Sequence, residues 1–179
     1  MRHLLQRLHP FAWINFATRL RFANTKGKAS VGNGSFYMQF IASLRSLSGG
    51  KPTGFKLCIG HPWEFLAVVK AMLKTGITPD FIVVDGKEGG TGAAPLEFMD
   101  HLGMPMREGL TFVHSALVGT NLRDKIKLGA AGKIVSGFDM ARVMALGADW
   151  CNAARGFIFA VGCLQSQQCH TDRCPTGVA

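Results

Sequence analysis

A chain of 179 residues is long enough for one domain with a real core, and although 47% of it is apolar, no run approaches the roughly 18–20 apolar residues a membrane span requires. The formal charge of +9 invites a nucleic-acid partner, but residues 1–63 carry nine Lys or Arg and no acid while residues 64–179 carry eleven of each, so the body is balanced and no nucleic-acid motif is present. Five cysteines, an odd number, and no segment built like a cleavable secretory signal argue against a disulfide framework and for a reducing cytoplasm.

The elements follow in chain order. Residues 1–30 are rich in Arg and free of acids, features shared with transit peptides and with solvated basic helices, and they stay unassigned. Residues 35–47 predict a helix stopped by Ser48-Gly49-Gly50. Residues 55–59 (FKLCI) predict a buried strand, and residues 61–76 a helix with apolar positions at Phe65, Val68, Val69 and Met72 that ends at Gly76. The strand FIVVD (81–85) leads into the glycine-rich loop KEGGTGAAP, a helix across Glu108 to Asn121 and the strand KIKLG (125–129). A last helix starts near Ser136 or Asp139, and DWCNAA (149–154) is the fourth strand. Such alternation predicts βα units and a parallel sheet, open or closed.

The strongest chemical signal is CLQSQQCHTDRCPTGVA, in which Cys163, Cys169 and Cys174 are spaced C-x5-C-x4-C before a proline. Three thiolates on a short irregular loop can cap three irons of a 3Fe-4S cluster. A zinc site would need a fourth ligand such as His170, and free thiols are the third reading. Lys56 is a lone cation in an apolar strand, where it needs an anionic partner or an exit to the surface. Small-residue loops, Gly129 to Lys133 and Asn152 to Gly156, follow two of the strands and would let backbone N–H groups approach an anion. Cys58 and Cys151 read as small buried strand residues, and Trp63 as packing beside His61.

The strings GCLQSQQCHTDRCPTGVA, VVDGKEGGTGAAP and KIVSGFDMARVMALGAD resemble the synthase domain of the glutamate synthases over residues 54–179, closest to the stand-alone FMN-binding branch. The resemblance implies an α/β fold, a partial (β/α)8 TIM barrel holding the last four βα units over residues 31–179, followed by a cysteine-rich cluster loop at 163–174. It also implies a chain that is part of a larger barrel, or a catalytically incomplete fragment whose copies pair as a homo-oligomer; a zinc-binding interaction module is the alternative.

The family's reaction condenses ammonia, free or glutamine-derived, with 2-oxoglutarate to 2-iminoglutarate. A hydride from reduced FMN then gives L-glutamate. Electrons come from ferredoxin or an NAD(P)H-oxidising subunit through a 3Fe-4S cluster, which the resemblance assigns to Cys163, Cys169 and Cys174. Lys56 matches a lysine at the flavin and substrate, with Glu88 and Asp85 as acids that orient ammonia or bond the flavin. Gly89, Gly90, Thr91 and Gly92 match the loop beside the substrate. Gly132, Lys133, Ala153, Ala154 and Arg155 fall where the FMN phosphate is expected, although Ala131, Lys133, Asn152 and Ala154 depart from the large-subunit pattern there.

Overall fold

The computed structural model describes residues 12–14, 31–88, 97 and 100–178; the loop candidates Gly89, Gly90, Thr91 and Gly92 lie outside the described residues. The strands are β1 (Ala12–Ile14), β2 (Thr53–Cys58), β3 (Phe81–Asp85), β4 (Lys127–Ala131) and β5 (Trp150–Asn152). The helices are α1 (Val31–Leu47), α2 (Pro62–Thr75), α3 (Met106–Gly119), α4 (Gly137–Ala145) and α5 (Ala154–Ala160), with 3-10 turns at Arg123–Lys125 and Cys169–Thr171.

Local chemistry explains these boundaries. In α2 the predicted stripe of Phe65, Val68, Val69 and Met72 is buried in full, each side chain contributing about 1.5–3 kcal/mol by leaving water. Pro62 opens the helix, where a missing N–H costs nothing. Gly76 closes it at φ 68 with its N–H on the Met72 carbonyl. At α4, Ser136 and Asp139 act together rather than as alternatives: each side chain accepts the other's backbone N–H in a reciprocal capping box. Some expectations change. The strand expected at 125–129 runs over Lys127–Ala131, so Gly129, Ala130 and Ala131 of the expected small-residue loop belong to it and only Gly132 and Lys133 follow it. Residues 12–14, within the unassigned segment, form a short strand paired in parallel with β2, and the loop expected at 152–156 gives way at Ala154 to α5.

All five strands are parallel and lie side by side in chain order. That order decides between open sheet and barrel. A doubly wound sheet reverses its order at a switch point, whereas uniform right-handed crossovers between successive neighbours put every helix on one face and curl the sheet into a barrel arc.

Burial separates the two faces. Phe55, Ile82, Val84, Leu128 and Ala130 join the main core with the helix residues Val68, Met72, Leu110 and Val113. Phe81, Val83 and Ala131 form a second, smaller cluster with Trp150 on the other face, the inside of the arc. Because paired residues of parallel strands share a face, the register defines inner rows: Gly54, Phe81 and Lys127; then Lys56, Val83, Gly129 and Trp150; then Cys58, Asp85, Ala131 and Asn152 at the C-terminal ends.

One device fixes that register twice. The Asp80 carboxylate accepts the Thr53 N–H at 2.6 Å while the Asp80 N–H donates to the Thr53 carbonyl at 2.8 Å. Arg45 bonds the same carboxylate and the Thr78 carbonyl. The second copy sets Asp149 against Leu128 at 2.7 Å in both directions, with Arg123 on Asp149 and on the Gly147 carbonyl. In each copy the next residue is an aromatic lying over a glycine of the neighbouring strand. A Cβ on Gly54 would fall 2.6 Å from the Phe81 ring, and one on Gly129 would fall 2.5 Å from the Trp150 ring.

The second copy stands one inner row, two residues, further along the strands than the first. An eight-stranded barrel of shear about 8 advances on average about one residue per strand. Two strands therefore require an offset of this size.

The close packing predicts that Gly129→Ala destabilises the protein by about 1–3 kcal/mol, as overpacking does. Urea unfolding should show the midpoint falling, and most of the loss should disappear when Trp150→Leu is added, because the methyl then has room. A Gly129→Ala variant as stable as the parent would contradict the ring-over-glycine contact.

Candidate functional site at the strand C-terminal ends

The inner row at the C-terminal ends and the loops beyond it form the mouth of the arc, where barrel proteins place their chemistry. Lys56 points into this face from β2, and its ammonium lies 2.5 Å from the Asp85 carboxylate at the end of β3, the pair being 31% and 20% exposed. The mid-strand cation thus has its anion within the chain. Asp85 is further fixed by the Gly86 N–H, 2.9 Å from its second oxygen.

Cys58 corrects one expectation. It is exposed, not buried, because alternation along β2 puts it on the inner face beside Asp85. Its Sγ is nevertheless hemmed in by Gly103, where a Cβ would collide with it. Burial of the sulfur, followed by the Asp85 charge, pushes the Cys58 thiol up from its ordinary pKa. Cys151 is half-buried against the main core, and burial raises its thiol too.

Glu88 turns toward α3. Its two oxygens accept the Met106 N–H at 2.9 and 3.1 Å, supplying the side-chain cap that the flanking Pro105 cannot give. A cleft of about 330 Å³ opens between the starts of α3 and α4, lined by Glu88, Met106, Arg107, Gly132, Lys133 and Asp139.

After β4 the backbone turns through Gly132 at φ 146 and Lys133 at φ 49, and a Cβ on Gly132 would press to 3.0 Å from that of Met106. The Lys133 ammonium meets the Asp100 carboxylate at 2.7 Å. That hydrogen bond, aided by the charges of Lys133, His101 and Arg155, holds the Asp100 carboxyl below its ordinary range. Arg155, in the first turn of α5, and Lys133 therefore act on one anion. Ala153 and Ala154 border them.

Cys163 follows α5, Cys169 opens the second 3-10 turn and Cys174 comes after it, all three half-buried. Left-handed backbone at Gln165, Gln167 and Asp172 makes the segment irregular. Among the described residues, however, no three Cys, His, Asp or Glu side chains are grouped to hold a metal ion. The Cys163 sulfur instead accepts the Gln165 N–H, and Cys174 contacts the Thr176 hydroxyl. The donors suit an iron-sulfur cluster in kind.

FMN fits better. Lys133 already meets an anion beside a glycine turn, with the charge of Arg155 adding to the field there, and a lysine-carboxylate pair sits on the inner face. His61 and Trp63 stack at 4.3 Å, exposed near the same mouth. The motifs left Asp100 unnoticed, since nothing in its spacing marks it as the partner of Lys133.

A parallel arc in chain order, with helices between its strands, defines part of a (β/α)-barrel domain, with its candidate site at the mouth. The chain belongs to the glutamate synthase family: the family's conserved region matches residues 35–179. It is 45% identical over 142 residues to the glutamate synthase large subunit-like protein YerD of Bacillus subtilis (strain 168), covering 79% of this chain and 27% of the relative. It is 39% identical over 102 residues to the NADPH glutamate synthase large chain of the same organism, covering 57% of this chain and 7% of the relative. Over 100 residues it is 39% identical to ferredoxin-dependent glutamate synthase 2 of a Synechocystis species, covering 56% of this chain and 6% of that one.

The environment of Cys58 gives a direct test. Iodoacetamide labelling followed residue by residue by mass spectrometry should show Cys58 reacting at higher pH than an ordinary thiol. Asp85→Asn should move its midpoint down by removing a neighbouring negative charge, and Lys56→Met should move it up. A Cys58 midpoint insensitive to both substitutions would remove Asp85 and Lys56 from its surroundings.

Proposed function

We propose that this chain supplies part of a glutamate synthase barrel that aminates 2-oxoglutarate reductively to L-glutamate, with ammonia, free or released from glutamine, as the nitrogen source. The observation that carries the reading is the Lys56–Asp85 pair on the inner face of the arc, in a chain belonging to this family. Because the chain spans about a quarter of the length of the YerD relative, the reaction belongs to the whole protein.

FMN, when bound, supplies the hydride. The chain's own residues bind and orient. The Lys56 ammonium, kept in place by Asp85, offers its remaining donors to a carboxylate of 2-oxoglutarate or to the flavin. Glu88 acts by positioning the start of α3 rather than by touching the reactants. Gly132, Lys133 and Arg155 receive the FMN phosphate, with Ala153 and Ala154 leaving room for it. The Gly89, Gly90, Thr91 and Gly92 segment lies beside the substrate in this reading. Cys163, Cys169 and Cys174 are proposed as ligands of a 3Fe-4S cluster, which requires their loop to close from the conformation described.

The electron donor is ferredoxin or an NAD(P)H-oxidising subunit, the two types of relative named above supporting either. No helix among the described residues is long and apolar enough to cross a membrane. A cytoplasmic location is part of the proposal.

In the full-length protein, Lys56→Ala should lower glutamate formation by about 100-fold, the scale of losing one well-placed charged donor, while thermal unfolding changes little. Cys169→Ser should remove bound iron and sulfide from anaerobically prepared protein. Unchanged turnover in Lys56→Ala would take Lys56 out of the site, and zinc without iron in the parent protein would replace the cluster by a zinc centre.

A further inference from the structure

Four anion-seeking groups described around the mouth already have a carboxylate. Lys56 has Asp85, the start of α3 has Glu88, the start of α4 has Asp139, and Lys133 has Asp100. Three of these acids are tied down by something else. Asp85 also accepts a backbone N–H, and Glu88 and Asp139 are the caps of their helices, so removing them would leave N–H groups unsatisfied. Asp100 differs. It is 48% exposed, its partner Lys133 is 41% exposed, and the carboxylate reaches across from a residue at φ 66 to one at φ 49. Two non-glycine residues in left-handed backbone, joined side chain to side chain, are the kind of local strain found at ligand clamps.

We propose that the Asp100 carboxylate is a built-in occupant of the anion subsite formed by Gly132, Lys133 and Arg155, and that a phosphate monoester displaces it from Lys133 on binding. The inference rests on the flavin reading above and deepens it by naming the residue that sets how strongly the phosphate group counts. A phosphate monoester carries about −1.5 to −2 charges near pH 7 and three acceptor oxygens, against one charge on the carboxylate. The incoming group therefore gains more from two cations than Asp100 does. Lysine suits the exchange, because its ammonium is a point charge on a flexible stem with three donors and is not locked into a planar fork. With its carboxyl held below the usual range by Lys133, Asp100 is ionised across the neutral range and competes throughout it. An exposed pair of this kind contributes little to stability. Removing the acid should free the cation without harming the fold.

The experiment titrates the flavin-depleted full-length protein with FMN and with riboflavin, which lacks the phosphate, following flavin fluorescence. The parent protein should prefer FMN. Asp100→Asn should tighten FMN about tenfold, within the usual range of coupling between sites, with riboflavin affinity and melting temperature unchanged. Asp100→Glu should keep the parent's values, and Lys133→Met should erase the preference for FMN and make Asp100→Asn silent. FMN binding that is unchanged or weaker in Asp100→Asn overturns the competition, since a merely structural Asp100 would give one of those results. Equal affinity of the parent for the two flavins removes the phosphate subsite and the inference with it, and failure of both to bind removes the flavin reading itself.

Discussion

The structure depends on an aspartate placed one residue ahead of a strand. Its carboxylate takes the N–H of the neighbouring strand while its own N–H returns to that residue's carbonyl, so the two strands cannot slip against each other. The arc uses this contact at Asp80 with Thr53 and at Asp149 with Leu128. A slip of one residue would turn every side chain to the opposite face. Lys56 would move into the main core and Phe55 into the mouth. The aromatics that follow the aspartates, Phe81 and Trp150, reinforce the setting because only glycine fits beneath their rings, and they meet edge to face at 6.1 Å inside the arc. The inner rows, and with them the place of Lys56 opposite the end of β3, follow from this pairing.

The same duplication explains why five strands suffice to recognise a barrel. An open sheet sets no rule for the offset between repeated units, whereas a closed one does. The two-residue advance from the Gly54–Phe81 contact to the Gly129–Trp150 contact is the amount an eight-stranded barrel requires of two strands. Repetition of the contact also brings the charged ends of β2 and β3 and the loops after β4 and β5 to one rim. Lys56, Lys133 and Arg155 therefore belong to elements that end or begin on one rim.

Much of this was legible in the sequence, and the exceptions have physical reasons. The helix stops at Gly49 and Gly76 could be read because a left-handed residue after a helix is nearly always glycine; their φ values are 74 and 68. The strand FIVVD was found to the residue, since a parallel strand buried on both faces is a continuous apolar run. Cys58 was misplaced because cysteine fits either face, and nothing within β2 reveals that the face it shares with Lys56 is the mouth. Glu88, read as an acid that orients ammonia or bonds the flavin, also caps α3, because Pro105, directly before it, has no side-chain acceptor to give. The cysteine spacing states which donors are available and says nothing of whether their sulfurs meet. Asp100 left no trace, being defined by a contact across 33 residues of chain.

What separates the two rims is how many bonds each charge makes. At the strand starts Arg123 donates to His114, to the carbonyls of Ile126 and Gly147 and to Asp149, and its side chain is only 18% exposed. Moving it would leave several acceptors without a donor, a cost that accumulates with each partner. At the strand ends Lys133 pairs with Asp100 and is 41% exposed, so its bond can be exchanged for another of the same sign at little loss. The asymmetry keeps the register rigid and leaves charge accessible: multiply bonded arginines where the strands begin, and a solvated lysine where they end.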